Sequence, residues 1–294
     1  QVGVYAQATL GHDTNVNSAN DQSQIAIPAL GGLFFVKDPS GLEQDDNFAQ
    51  LEAGVRLRRS LTPAWNLLAD ASVNGRLHQD ISALDSTALD VSAGGAWRTG
   101  PSQVVLKANA QHYLLDGDDY RQLLGGMAQY LYTPRDSSQF SAFVQLTDIS
   151  YNTQPLRDAR RDTLGVAWSQ AVQWWRNPVV YAGLYGGQES PDAAGVDHYG
   201  QQFVGLRLGG SVQFGAKTQL NAAVSMEDRQ YDAEDPIFLT TRDDTQVDLS
   251  LGLGYRLSQR VSLQPTYTFT SNDSNIVINE FTRHTLSVAV RYER

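Results

Sequence analysis

Gln246-Val247-Asp248-Leu249-Ser250-Leu251-Gly252-Leu253-Gly254-Tyr255-Arg256-Leu257 is the stretch on which the fold turns. Val247, Leu249, Leu251, Leu253, Tyr255 and Leu257 fall on one side. Gln246, Asp248, Ser250, Gly252, Gly254 and Arg256 fall on the other. Side chains alternate across a strand with period 2, so this is an extended segment with one apolar and one polar face. The pattern recurs along the chain. Leu51, Ala53, Val55 and Leu57 oppose Glu52, Gly54, Arg56 and Arg58; Leu286, Val288, Val290 and Tyr292 oppose Ser287, Ala289, Arg291 and Glu293. Fourteen segments read this way, near 2–10, 47–58, 64–77, 87–98, 103–115, 121–133, 139–150, 161–173, 179–188, 201–214, 218–231, 244–257, 261–271 and 283–293. Alternation is poorest near 121–133 and 179–188. Pro265 removes a ladder donor mid-strand, and His112 and Gln170 stand on apolar sides.

Composition narrows the setting. The 294 residues carry 22 Lys+Arg against 32 Asp+Glu, a net charge of −10, and no Cys. Hydrophobic residues make up 41% and mean hydropathy is −0.35, low for a buried globular core of this size. No window approaches about 18 consecutive apolar residues, so a membrane-spanning helix is excluded. The acidic balance argues against nucleic acid as a partner. Without Cys there is neither a disulfide framework nor a thiolate metal site. No cleavable signal peptide is read, and Gln1 reads as the start of a mature or trimmed product.

The connections alternate as well. After every second strand comes a tight turn: Thr62-Pro63, Gly100-Pro101, Pro134-Arg135-Asp136, Arg176-Asn177-Pro178, Gly215-Ala216-Lys217 and Ser258-Gln259-Arg260. The other links are mostly longer and polar; the first spans 11–46. An even strand count, short turns at one end and long loops at the other predict one all-β domain over 1–294. It is a transmembrane, antiparallel, up-and-down barrel of about fourteen strands, with periplasmic turns and extracellular loops, in a Gram-negative outer membrane. Hydrocarbon offers no hydrogen-bond partner, so a spanning sheet must close, apolar side to lipid and polar side to the lumen. Trp65, Trp97, Trp174, Trp175, Tyr132, Phe140, Phe214 and Tyr255 cluster near the short turns, as an interfacial girdle requires. The competing reading, a soluble β-sandwich, does not explain this segregation of connections.

Inward positions place Glu52, Arg56, Arg58, Asp70, Arg76, Asp90, Arg98, Lys107, Arg207, Glu227, Arg229, Asp248, Arg256 and Arg291 toward the lumen. The plain reading of each is a cross-strand partner that stiffens the wall. The functional reading is a path biased toward anions or an extended polymer. The acidic long-loop end reads as a solvated rim, without calcium-loop spacing. The first loop carries an apolar run, 25–36, that is costly to leave in water. Ile25, Ile27, Leu30, Leu33, Phe34 and Phe35 are the candidates for a plug folded inward. None of His12, His78, His112, His198 and His284 sits in a zinc motif, and no catalytic constellation, metal site or cofactor is read.

Two short segments carry a family likeness: Leu10-Gly11-His12-Asp13-Thr14-Asn15-Val16-Asn17 after the first strand, and Ser271-Asn272-Asp273-Ser274-Asn275-Ile276 before Phe281-Thr282-Arg283 and the last strand. This pairing resembles the barrel domain of the surface lipoprotein assembly modifier family and related outer-membrane proteins that carry tetratricopeptide repeats. Where this chain departs, His12 stands in place of the usual Tyr, and Tyr292-Glu293-Arg294 closes it instead of a terminal aromatic. The resemblance implies a fourteen-stranded barrel that assists delivery of lipoproteins to the cell surface. It also implies an exported lipoprotein and a periplasmic repeat domain as partners beside outer-membrane lipid.

Asp13-Thr14-Asn15-Val16 and Asp273-Ser274-Asn275-Ile276 are near-copies on strands that meet in a closed barrel. The reading is a structural seam motif of Asp13, Asn15, Asn17, Asp273 and Asn275, with the two copies side by side and satisfying loop backbone. Three functions stay open: a conduit for a macromolecule, either a lipoprotein or an exported polymer such as exopolysaccharide; a passive diffusion porin; and a non-conducting surface protein whose loops bind a partner.

Overall fold

The alternating segments form the wall of a closed sheet in the computed structural model, which describes residues 1–294. β1 (Val2–Asp13) is followed by a long loop holding a small hairpin, β2 (Gln24–Ile27) and β3 (Leu33–Val36). The wall continues through β4 (Asp46–Ser60), β5 (Trp65–His78), β6 (Ser86–Thr99) and β7 (Ser102–Leu115). Then come β8 (Asp118–Arg135), β9 (Ser138–Tyr151), β10 (Ala159–Ala171), β11 (Val179–Pro191) and β12 (Gln201–Phe214). β13 (Thr218–Asp235), β14 (Thr240–Arg256), β15 (Val261–Ser274) and β16 (Phe281–Glu293) complete it. Every wall strand pairs antiparallel with its chain neighbour, and β1 pairs with both β4 and β16. Fourteen strands therefore close on themselves, as the alternation predicts.

Period 2 explains why these residues make this wall. Leu51, Leu89, Leu164, Leu206 and Leu286 are exposed on the convex face, where hydrocarbon is the solvent that stabilises them. Their chain neighbours face inward and hydrogen-bond to one another across strands. Pro265 opens the β14–β15 ladder: pairing runs as far as Gly252 with Thr266 and resumes at Tyr255 with Leu263. His112 and Gln170 lie outward but near strand ends. There the His112 ring meets Asp119 at 2.8 Å and Gln170 bonds the backbone of Ala171.

Three boundaries differ from the sequence reading. The expected long link at 116–120 is a tight turn through Asp116 and Gly117, both in the left-handed region at φ 53° and 83°. The expected 232–243 loop shrinks to 236–239, because β13 and β14 run on beyond their apolar stretch with a register shift between Gln230 and Glu234. The turn expected at 176–178 widens to 172–178, closed by Val172 N donating to the Pro178 carbonyl. This turn carries Trp174, 74% exposed, and Trp175, whose ring meets Phe214 edge-on at 5.6 Å. Trp65 and Trp97 pair across β5 and β6 at 6.4 Å, extending the same aromatic belt.

The apolar run of the first loop leaves most of its side chains unburied. It folds as the β2–β3 hairpin, with its Pro28–Leu30 bend held at the rim by Ala29 N donating to the Ile237 carbonyl of the β13–β14 connection. Ile25 is buried, whereas Leu30, Leu33, Phe34 and Phe35 are all more than 60% exposed. A hairpin of two four-residue strands has too little surface to bury both its faces, so its backbone pairing is satisfied while its side chains are not.

Candidate functional site

The inward face is one continuous polar lining. On the β4–β7 side, Glu52 Oε1 accepts from the Tyr5 hydroxyl at 2.7 Å, and the Arg56 and Arg291 guanidiniums lie 5.1 and 4.2 Å from the Tyr5 ring centre. Asp70 accepts from Lys107 Nζ at 2.5 Å and from Ser92 Oγ at 3.0 Å. Asp90 accepts from Gln111 Nε2 at 2.7 Å. Arg76 lies 4.0 Å over the Phe48 ring and donates to Gln50. On the β12–β15 side, Glu227 accepts from the Tyr185 hydroxyl at 2.7 Å while Arg207 lies 5.0 Å over that ring. Arg229 reaches Gln246 and Asn272 at 2.7 and 2.9 Å, and Asp248 accepts from Thr270 at 2.7 Å. Arg58, Arg98 and Arg256 sit inward at the short-turn end. None of them forms an ion pair; Arg58 donates only to Asn66, at 3.4 Å.

The lining has a component that sequence reasoning passed over. Six inward rings lie directly against cross-strand glycines: Tyr5 on Gly54, Phe48 on Gly11, Phe143 on Gly165, Tyr181 on Gly209, Tyr185 on Gly205 and Phe203 on Gly187. A Cβ at any of these glycines would overlap the ring. Absence of a side chain is what lets the ring lie flat on the wall. Arginines then cover several rings: Arg161 stands 4.0 Å over Phe203, as Arg76 does over Phe48. Arg121 and Arg161, absent from the candidates read in sequence, share with Arg207 a lumenal cavity of about 570 Å³, in which Glu227 is the acid. Which glycine faces which ring becomes visible only when strand register is known.

The seam is built around a buried carboxylate. Asp13, fully buried, accepts from Arg283 Nε at 2.9 and 2.8 Å and from Thr285 Oγ1 at 3.2 Å. Asn15, also fully buried, donates to the carbonyls of Thr282 at 2.9 Å and Ala19 at 2.8 Å. Asn17 ties the first loop to itself through Leu42 and Gln44. The expectation that the two near-copies lie side by side is corrected. Asn275 donates to the Thr241 carbonyl at 2.8 Å and accepts from Asp243 N at 2.9 Å, so the second copy fastens β15 to β14, with β16 standing between the copies. Asp273 is exposed and takes no part. In both places the asparagine reaches a Thr-Arg dipeptide on the adjoining strand, Thr282-Arg283 or Thr241-Arg242, and the arginine meets a fully buried aspartate, Asp13 or Asp244.

In the first loop, Asp38 accepts from Ser40 N and Ser40 Oγ at 2.9 and 2.7 Å, which holds its carboxyl below the usual aspartate range. Burial lowers the Lys37 ammonium, opposed by Asp21; its Nζ bonds Asn20.

A family model described as surface lipoprotein assembly modifier matches residues 3–293. No curated protein matches. Among solved structures, in-vitro folded OmpT, an outer membrane protein of Vibrio cholerae, aligns with a TM-score of 0.55 at 9% identity, covering 100% of this chain and 97% of that one. An anion-selective porin from Comamonas acidovorans aligns with a TM-score of 0.53 at 11% identity, covering 100% and 99%. At such identities the likeness shows the fold alone: a bacterial outer-membrane β-barrel.

Proposed function

Because the chain belongs to the surface lipoprotein assembly modifier family, we propose that it is the outer-membrane conduit through which a lipoprotein reaches the cell surface. The observation that carries this reading is the lining itself. Rings lie flat on glycines, and most inward charges are held by a neighbour. Such a wall presents many shallow polar and aromatic contacts to a passing chain and no deep trap. The family supports a role with surface lipoproteins; the translocating role of this barrel is the step added here. The test is surface display of a lipoprotein client, read by protease accessibility in cells carrying wild-type barrel or a barrel with Arg207 and Arg161 reversed to Glu. Display lost in the variant, with the barrel still assembled, supports the conduit. Unchanged display rejects it.

A second reading, passive diffusion, is favoured by the cavity that Arg121, Arg161 and Arg207 share with Glu227. Steady, anion-selective conductance of the purified barrel in planar bilayers, with no effect on client display, is the outcome that favours it.

A further inference from the structure

The charges of this barrel are sorted along its axis. Each of the six connections at the short-turn end carries a basic residue within it or shortly before it. Arg59 and Arg98 precede the first two, Arg135 and Arg176 mark the next two, and Lys217 and Arg260 the last. All six are exposed, and none belongs to an ion pair. At the long-loop end the arrangement is opposite. Acids crowd the connections, and four arginines there are matched to them: Arg283 to Asp13, Arg242 to Asp244, Arg161 to Glu189 and Arg160 to Asp162.

Arg98 and two further arginines, Arg58 and Arg256, take inward register positions at the short-turn mouth, opposite Gln103, Leu68 and Ser262. They too are exposed and without a carboxylate partner. Glu293 is the one acid paired at this mouth, and it is taken by Arg291. Asp136, beside Arg135, is the one acid within these turns; the other five carry positive charge alone. Like charges around one rim repel, and these five turns hold no acid to offset them.

We infer that the short-turn mouth is a docking surface for an acidic polypeptide segment on the periplasmic side of the membrane. The sign of the charge selects the partner's chemistry. The inward placement of Arg58, Arg98 and Arg256 selects polypeptide over lipid, because headgroups contact the convex face and do not enter the bore. The turn cations widen the field around the opening, and at about 8 Å of screening length it extends beyond the mouth itself. This inference rests on the outer-membrane orientation and stands whether or not the cargo is a lipoprotein.

The test uses the barrel in nanodiscs of phosphatidylcholine alone and a fluorescent oligoglutamate peptide, read by anisotropy at low and physiological salt. Expected is saturable binding that weakens steeply with salt. It falls by about tenfold or more in the Arg58→Gln/Arg98→Gln/Arg256→Gln variant, whose assembly is checked by heat-modifiable gel mobility. A second variant, Arg135→Gln/Arg176→Gln/Lys217→Gln/Arg260→Gln, is expected to lose less. Two results overturn the inference: no peptide binding in neutral discs, or peptide binding that survives the inward triple variant. If only the turn variant has an effect, and in a second set of discs containing phosphatidylglycerol it abolishes enrichment of that lipid around the barrel, the cations belong to headgroups and the inference falls. Client display in the Arg207/Arg161 variant is measured in parallel. Display lost there, with peptide binding that survives the inward triple variant, breaks this inference and leaves the conduit standing; display unchanged there, with peptide binding lost in the inward triple variant, does the reverse.

Discussion

Asp13 on β1 and Arg283 on β16 meet across the junction that closes the barrel, the Nε of Arg283 donating to both carboxylate oxygens at 2.9 and 2.8 Å with Asp13 shut off from solvent. A buried charge left without its partner is costly, whereas removing both partners costs much less. Arg283→Ala is therefore expected to destabilise the barrel by about 3–5 kcal/mol, and Asp13→Asn/Arg283→Gln by clearly less. Loss of the folded, heat-modifiable band on heating measures both. Equal melting of single and double variants contradicts the pairing.

Asn15 and Asn275 fasten different strand pairs and share no hydrogen-bond partner. Asn15→Ala should cost about 1–3 kcal/mol and the exposed Asn275→Ala about 0.5–1.5 kcal/mol, and the double variant should equal the sum to within about 0.5 kcal/mol. Strong non-additivity would mean that the two motifs communicate. If neither variant shifts melting while both abolish client display, the motif serves export and not the seam.

Tyr185 lies on Gly205 with its hydroxyl on Glu227. Gly205→Ala forces that ring away from the wall and is expected to destabilise by about 1–3 kcal/mol. Tyr185→Ala in the same chain should recover part of the loss, giving a coupling of about 0.5–3 kcal/mol in a double-mutant cycle. Independent effects of the two substitutions contradict the stacking.

Removal of residues 24–37 is expected to leave single-channel conductance unchanged, since the hairpin is tied to Ile237 at the rim and its apolar side chains are exposed. A jump in conductance on deletion shows that the hairpin obstructs the bore.

Asp38 titrates below an ordinary aspartate because the hydrogen bonds from Ser40 favour its charged form. A depressed carboxyl contributes stability that is present above the unfolded value, about 3.9, and is lost as pH falls through the folded value. The Ser40 amide resonance should titrate with a midpoint below 3.9, and the titration should vanish in Asp38→Asn. A midpoint at or above the ordinary value contradicts the turn geometry.

The strands were legible because lipid outside and water inside impose period 2 on every crossing. Leu249, Leu251 and Leu253 cannot all face lipid in any other conformation. Legibility failed where that constraint ends. Beyond Gln230 and before Thr245, β13 and β14 carry mostly polar residues on both faces, so sequence alone reads them as loop. The inward charges were readable from parity, Asp248 and Arg256 from the opening stretch itself. Their partners were not, since Tyr5 against Gly54 or Asp13 against Arg283 depends on which strand lies alongside and at what offset. The repeated Asp-x-Asn strings suggested mutual contact, but each asparagine answers to a Thr-Arg on its own neighbour, a relation visible only in space.

The six ring-on-glycine pairs have a consequence for assembly. Adjacent strands of a barrel can slide past one another in steps of two residues without exposing an apolar side chain to the lumen, so inside-outside pattern alone does not forbid such a slip. Here a two-residue slide would drive Tyr5 from Gly54 onto Glu52 or Arg56, and Tyr185 from Gly205 onto Phe203 or Arg207. On β1–β4, β9–β10 and β11–β12 these contacts act as notches on a ratchet: a mis-set pair among these strands meets bulk where it needs a gap, and only one arrangement lets all six seat at once.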